Sequence, residues 1–236
     1  MTTTTDAQDG RVALITGASS GIGAAIAKAF VGTGMRVVLG ARRLDKLEAL
    51  AAELGGSEVA RAVHLDVTDW ESCQGAVAAA TEAFGQLDVL VVNAGFGAPR
   101  GWLESTPEHW RDMVLTNIYG AAITMRAALP ALQASKGDVL VMSSVAGRRV
   151  LPGSLYSASK HAVTAMAEAL RQEVADQGVR VTSIEPGMVD TPFFDDGVPE
   201  WSLHPDDIAE AALFATSRTT RATVSTITVR PSAQVV

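Results

Sequence analysis

Short runs that are apolar at every position alternate along this chain with longer stretches whose apolar residues recur at three- and four-residue spacing. The first run, 12–16, stops at a glycine, and 21–33 follows with helical periodicity. The same alternation predicts strands at 37–40, 59–65, 89–93, 139–143, 179–184 and 225–229. It predicts helices at 44–54, 70–84, 107–132, 155–176 and 205–216. Strands that are apolar throughout belong to sheets covered on both faces, whereas a half-exposed strand would alternate. Repeated strand–helix order therefore predicts the α/β class: one doubly wound parallel sheet of about seven strands flanked by helices. Ligands then sit at the carboxyl ends of the strands.

No linker or repeat splits this pattern, so residues 10–236 read as one domain and the polar residues 1–9 as a flexible tail. One long irregular stretch, 187–204, is the candidate substrate loop. Composition narrows the class further. With 47% hydrophobic and 19% charged residues the chain suits a compact fold. A net charge of −7 excludes a general nucleic-acid or anionic-membrane binder. No stretch reaches the length of apolar sequence a membrane span needs, and the tail lacks the apolar core of a signal peptide. The lone Cys73 excludes a disulfide framework, and His64, His109, His161 and His204 are too scattered for a metal site. These features lead to the expectation of a cytoplasmic protein without a metal.

The candidate chemistry starts at Thr16-Gly17-Ala18-Ser19-Ser20-Gly21-Ile22-Gly23, between the first strand and the first helix. Its glycines allow a tight turn whose N–H groups can approach a pyrophosphate, and the helix adds its positive end. The second strand ends in Ala41, with no carboxylate to bond ribose hydroxyls, and Arg42 and Arg43 follow. A missing acid and added guanidiniums favour NADP(H), with NAD(H) as the alternative. Tyr156 and Lys160 are one helical turn apart and share a face. An ammonium near a phenol favours phenolate, which would lower the tyrosine pKa and suit it to proton transfer. Ser143-Ser144-Val145-Ala146-Gly147 ends the fifth strand, where a hydroxyl could donate to a substrate oxygen. Successive residues of an extended chain face opposite sides, so only one serine should face the pocket.

Taken together, these motifs resemble the short-chain dehydrogenase/reductase family, and in particular its NADP-preferring carbonyl reductases. TGASSGIG is similar to the family's cofactor turn, and the likeness extends through Asp66, Asn93-Ala94-Gly95, Asn117, Ser144, Tyr156-x-x-x-Lys160 and Pro186-Gly187. The resemblance implies a Rossmann-type domain and a nicotinamide cofactor. The implied cofactor contacts are Gly17, Ser19, Ser20, Gly21, Ile22, Gly23, Arg42, Arg43, Asp66, Val67, Asn93, Ala94, Gly95, Tyr156, Lys160, Pro186, Gly187, Val189 and Thr191. The implied catalytic set is Asn117, Ser144, Tyr156 and Lys160, with Lys160 holding the nicotinamide ribose. Asn117 would perturb its own helix and support a water bridge to Lys160. The family's S-S-x-x-G pattern selects Ser144, while counting back from Tyr156 by the family's usual thirteen residues selects Ser143.

The implied activity is NADPH-dependent interconversion of a ketone or aldehyde and an alcohol, with Tyr156 giving or taking the proton. Its alternative is a dehydrogenase oxidising an alcohol, sugar or sterol. A redox-sensing binding protein without chemistry should have lost one of Ser144, Tyr156 or Lys160, and all are present. Met188, Phe193, Phe194 and Trp201 of the 187–204 loop suit either an apolar substrate or the loop's own packing. Arg148 and Arg149 read as solvated or as a carboxylate contact. The ending Arg230-Pro231-Ser232-Ala233-Gln234 resembles that of reductases acting on aldehydes and short hydroxy acids. Alanine-rich faces on the two long helices, and the family's habit, imply a homo-oligomer (a tetramer or dimer) acting on a small molecule.

Overall fold

A computed structural model describes residues 8–194 and 197–234. Seven strands form one parallel sheet: β1 (Val12–Thr16), β2 (Arg36–Ala41), β3 (Ala60–His64), β4 (Val89–Val92), β5 (Asp138–Met142), β6 (Arg180–Pro186) and β7 (Thr226–Val229). Their order is β3-β2-β1-β4-β5-β6-β7, so the chain reverses direction across the sheet between β1 and β4. The helices are α1 (Gly21–Val31), α2 (Leu44–Glu53), α3 (Trp70–Phe84), α4 (Pro107–Val114), α5 (Ala121–Ser135), α6 (Leu155–Glu173) and α7 (Pro205–Thr216).

The central strands β1, β4 and β5 are buried along their whole length because both faces are covered. In β1, Ala13 and Ile15 pack with Ile26, Phe30, Leu47 and Ile208 of α1, α2 and α7. Val12 and Leu14 pack on the other side with Cys73, Ile123, Ala128 and Val163 of α3, α5 and α6. The two edge strands are partly exposed: β7 alternates between exposed and half-buried positions, and β3 exposes Arg61 and His64. Helix starts follow their caps: Asp69 accepts from the Ser72 N–H, Thr106 from that of His109 ahead of Pro107, and Ser154 from that of Ser157.

The largest departure from the sequence pattern lies in the expected 107–132 helix. It is broken by a π-helical turn, Leu115–Gly120, between α4 and α5. Asn117 sits in that turn and is buried. Gly120 lets the turn close on the segment after β3, since a Cβ there would lie 2.8 Å from Val67 Cγ2. The expected 155–176 helix ends at Glu173 and continues as a 3₁₀ turn, Ala175–Gln177, before Gly178 at a φ of +81°. Of the expected tail, residues 1–7 lie outside the described residues, whereas Gln8 is buried and its carboxamide oxygen accepts from Arg11 at 3.1 Å. Asp195 and Asp196 of the 187–204 loop also lie outside the described residues.

Candidate active site

The turn after β1 is held by its neighbour across the point where the sheet reverses. Thr16, buried in the sheet, bonds Val91 O at 3.2 Å through its hydroxyl, which also accepts from the N–H groups of Asn93 and Ala94. The Asn93 amide returns bonds to the carbonyls of Thr16 and Gly17 at 3.0 and 3.3 Å. Gly17 has a φ of +67° and lies so close to Ala94 that a Cβ would come within 2.9 Å of its Cα. At Gly23, in the first turn of α1, a Cβ would sit 2.6 Å from Gly17 O. The turn is thus folded tightly against α1, with Ile22 half-buried in it. Ser20 at the N-cap makes no side-chain cap bond, so the first N–H groups of α1 keep their capacity for an outside acceptor. Arg43 reaches back to the hydroxyls of Ser19 and Ser20 at 2.9 and 3.1 Å. A glycine cradle, an uncapped helix start and an adjacent guanidinium fit a dinucleotide pyrophosphate.

Arg42 is exposed beside the end of β2. Its charge reaches Asp66, just past the end of β3. Burial raises the Asp66 carboxyl, but two hydrogen bonds from Thr68 and the charge of Arg42 outweigh it and leave the pKa below the ordinary value. Val67, nearly buried, packs on Gly120. The loop after β4 meets the π-helical turn: Asn117 Oδ1 accepts from Phe96 N at 3.0 Å, and its Nδ2 donates to Phe96 O at 2.9 Å and to Ser159 Oγ at 3.2 Å. Gly95 makes this approach possible, because a Cβ there would lie 2.9 Å from Asn117 Oδ1. Ser159, buried in the first turns of α6, passes the connection to Tyr156 O at 2.8 Å.

Tyr156 and Lys160 lie one turn apart on α6, facing the end of β5. The two serines that end β5 divide as an extended chain requires. Ser143 turns inward, bonding the Thr164 hydroxyl at 2.6 Å and Lys160 O at 3.2 Å. Ser144 faces the other way; its hydroxyl accepts from Ala146 N at 3.1 Å and lies close enough to the Tyr156 hydroxyl to favour its phenolate. Burial pushes the Tyr156 phenol up to about 12, against the smaller opposing effect of Ser144. Desolvation brings Lys160 down to about 8. The expected lowering of the tyrosine by its ammonium neighbour is therefore absent. Lys160 Nζ instead donates to Met142 O at 2.7 Å and lies 5.7 Å from the centre of the Tyr156 ring, so desolvation wins.

Past β6, the two ends of the 187–204 loop are zipped together: Leu203 N donates to Met188 O and Asp190 N to Leu203 O, with Val189 buried between. Pro186 O receives the Ser144 hydroxyl at 3.5 Å. Thr191 rests on Gly21, its Cβ 3.2 Å from where a glycine Cβ would be. Gln234 accepts from Met188 N at 3.0 Å, and its side chain occupies the space a Cβ on Gly187 would take. Arg148 keeps half of its side chain in solvent, as one expectation had it, and pairs at 2.7 Å with Glu185, which is buried beneath it. Arg149 is exposed. Sequence reasoning passed over Thr16, Ser159 and Gln234 as positioning side chains. Thr16 stood directly before the glycine turn and Ser159 directly before Lys160, so position alone could have flagged both. Among the described residues, no group of three His, Cys, Asp or Glu side chains is placed to hold a metal, and no helix is long and apolar enough to cross a membrane.

The described geometry has relatives. The family model described as short chain dehydrogenase matches residues 11–200. An oxidoreductase of Staphylococcus saprophyticus is 41% identical over 229 residues, covering 94% of this chain and 97% of the relative. Among solved structures, an alcohol dehydrogenase from the archaeon Thermococcus sibiricus, complexed with 5-hydroxy-NADP, superimposes with a TM-score of 0.87 at 34% identity. That match covers 95% of this chain and 97% of the other. A 3-ketoacyl-(acyl-carrier-protein) reductase from Brucella melitensis, complexed with NADH, gives a TM-score of 0.86 at 32% identity, over 95% and 98% of the two chains.

Proposed function

This chain belongs to the short-chain dehydrogenase family of oxidoreductases, and from that premise we propose that it is an NADPH-dependent carbonyl reductase. It interconverts a ketone or aldehyde and an alcohol, with Tyr156 as the proton donor. When bound, the nicotinamide gives or takes the hydride. The Gly17–Gly23 segment, with Ser19, Ser20 and Ile22, holds the pyrophosphate on the start of α1, and Arg42 and Arg43 receive the extra phosphate of NADP. Asp66 and Val67 lie on the adenine side. Asn93, Ala94 and Gly95 line the middle, while Pro186, Gly187, Val189 and Thr191 border the nicotinamide, and Lys160 holds its ribose.

The observation that carries this reading is Tyr156 and a buried Lys160 one turn apart on α6, with Lys160 held on Met142 O at the end of β5 where Ser144 follows. Ser144 donates to the substrate oxygen as negative charge builds there, and Tyr156 passes it a proton. With its pKa at about 12, the phenol carries that proton throughout the neutral range. Reduction is the direction proposed, over oxidation of an alcohol, sugar or sterol. Asn117, through Ser159, fixes the first turn of α6 that carries Tyr156. A second reading of the cofactor, use of NADH, draws on the Brucella melitensis relative complexed with NADH.

The same proposal gives residues 10–236 as one domain carrying both binding sites, in a cytoplasmic homo-oligomer. Leu115 and Tyr119, exposed at 40% and 47% on the α4–α5 face, support packing between copies. Incubation with NADPH or NADH and a panel of aldehydes and ketones, followed by nicotinamide absorbance, tests the proposal. NADPH should support faster turnover than NADH. Losing the charged phosphate contact in Arg42→Ala or Arg43→Ala should cost about 1.5–3 kcal/mol of NADPH binding and little of NADH binding. No cofactor oxidation with any carbonyl would end the proposal, and equal use of both cofactors would remove the NADP assignment.

A further inference from the structure

Phe193 is a half-exposed aromatic side chain in the 187–204 loop, and it is not left to solvent. Its ring lies 5.5 Å from that of Tyr156, tilted by 60°, and 5.0 Å from that of Phe194. Its tip presses on the backbone of Gly97 in the loop after β4: a Cβ on Gly97 would come 2.8 Å from Phe193 Cζ and 3.1 Å from Cε1. Gly97 has no positive φ that would call for glycine. Its lack of a side chain therefore serves the space taken by the ring. Both partners are anchored. Phe193 N donates to Thr191 Oγ1 at 3.4 Å, and Gly97 O is held at 2.8 Å by Nε2 of His109 on α4.

A carbonyl that takes a proton from the Tyr156 hydroxyl must bring its two substituents alongside the Tyr156 ring, and part of that surface is occupied by Phe193. Resting on the function proposed above, we infer that Phe193, seated on Gly97, is the wall that limits one substituent of the substrate. The enzyme then selects carbonyl compounds with one small substituent, aldehydes and methyl ketones, over those in which both substituents are branched or aromatic.

Gly97 allows the wall to be moved without touching the substrate. The test compares wild type, Phe193→Ala, Gly97→Ala and the double variant on the best aldehyde or methyl ketone of the panel and on its counterpart with isopropyl in place of the hydrogen or methyl. The readout is the ratio of kcat/KM for the bulky compound to that for the small one. Phe193→Ala should raise this ratio about tenfold or more, the scale of discrimination by an apolar pocket. Gly97→Ala should change it by about threefold or more through the displaced ring, and should change nothing once Phe193 is gone, since contacting residues couple and separate ones do not. NADPH fluorescence titration and melting curves check that each variant is folded. Wild-type turnover with a ratio indifferent to Phe193→Ala, or a Gly97→Ala effect that persists without Phe193, would overturn the inference and leave the carbonyl reductase reading intact. Absence of turnover by the wild type itself would overturn both.

Discussion

Two adjacent serines with the same chemistry have opposite surroundings at the end of β5. Ser144 has extended backbone, with φ −171° and ψ 160°, and lies on the Tyr156 side of the strand, while Ser143 is sealed behind it against Thr164 and Lys160 O. The glycine-anchored motif selected Ser144 against a spacing count that favoured Ser143, and the side-chain environments of the two differ accordingly. Ser144→Ala should lower turnover about a hundredfold, the cost of one donor to a developing oxyanion, while NADPH still binds. Ser143→Ala should instead lower the melting temperature through a lost buried hydrogen bond worth about 1 kcal/mol, with turnover changed little. Steady-state kinetics beside thermal melts distinguish the two, and reversed results would transfer the assignment to Ser143. The Tyr156–Lys160 pair was legible from its four-residue spacing, but the sign of the tyrosine shift was not. A sequence shows that an ammonium is near and does not show that burial outweighs it.

At the scale of elements, helices with strong terminal signals were legible to the residue. α3 begins after the Asp69 cap and ends at Gly85 with a φ of +84°, and α7 begins at Pro205. The break between α4 and α5 was not legible as geometry. A π-helical turn inserts one residue and barely disturbs the apolar spacing, so the single sign of it was a polar Asn117 in an apolar stretch. What fixes the turn, the Phe96 backbone and Ser159, is distant in sequence. The α1 start was legible because its glycines serve local geometry. Gly23 is the most crowded of them: an added Cβ meets Gly17 O, Asn93 Nδ2 and Ala18 Cα, all within 3.0 Å. Gly23→Ala should therefore cost about 1–3 kcal/mol of stability, as overpacking does, and weaken NADPH binding by displacing the turn. Denaturant melts and fluorescence titration measure the two; a variant as stable and as tight-binding as wild type would contradict the close approach of α1 to the turn.

At the scale of the whole molecule, the parallel order gathers the carboxyl ends of β1, β4, β5 and β6 at one edge, where the glycine turn, Asn93, Ser144 and Pro186 meet. The opposite edge is tied by Asp138, buried at the start of β5 and held by Arg11 at 2.6 Å and Arg180 at 2.7 Å. The alternation of apolar runs with helical stretches made this sheet legible, since the central strands β1, β4 and β5 are covered on both faces. The loop contacts over the site were not, because Phe193 on Gly97 and Gln234 on Met188 join segments far apart in the chain with no periodicity between them. The central claim is that the proton reaching the substrate comes from Tyr156. Tyr156→Phe keeps the ring that packs with Phe193 and removes only the hydroxyl. In a single turnover with NADPH and the best carbonyl substrate, the variant should bind NADPH with wild-type fluorescence change yet show no nicotinamide oxidation on the wild-type timescale. Reduction by Tyr156→Phe at near wild-type speed would place the proton donor elsewhere and contradict the account.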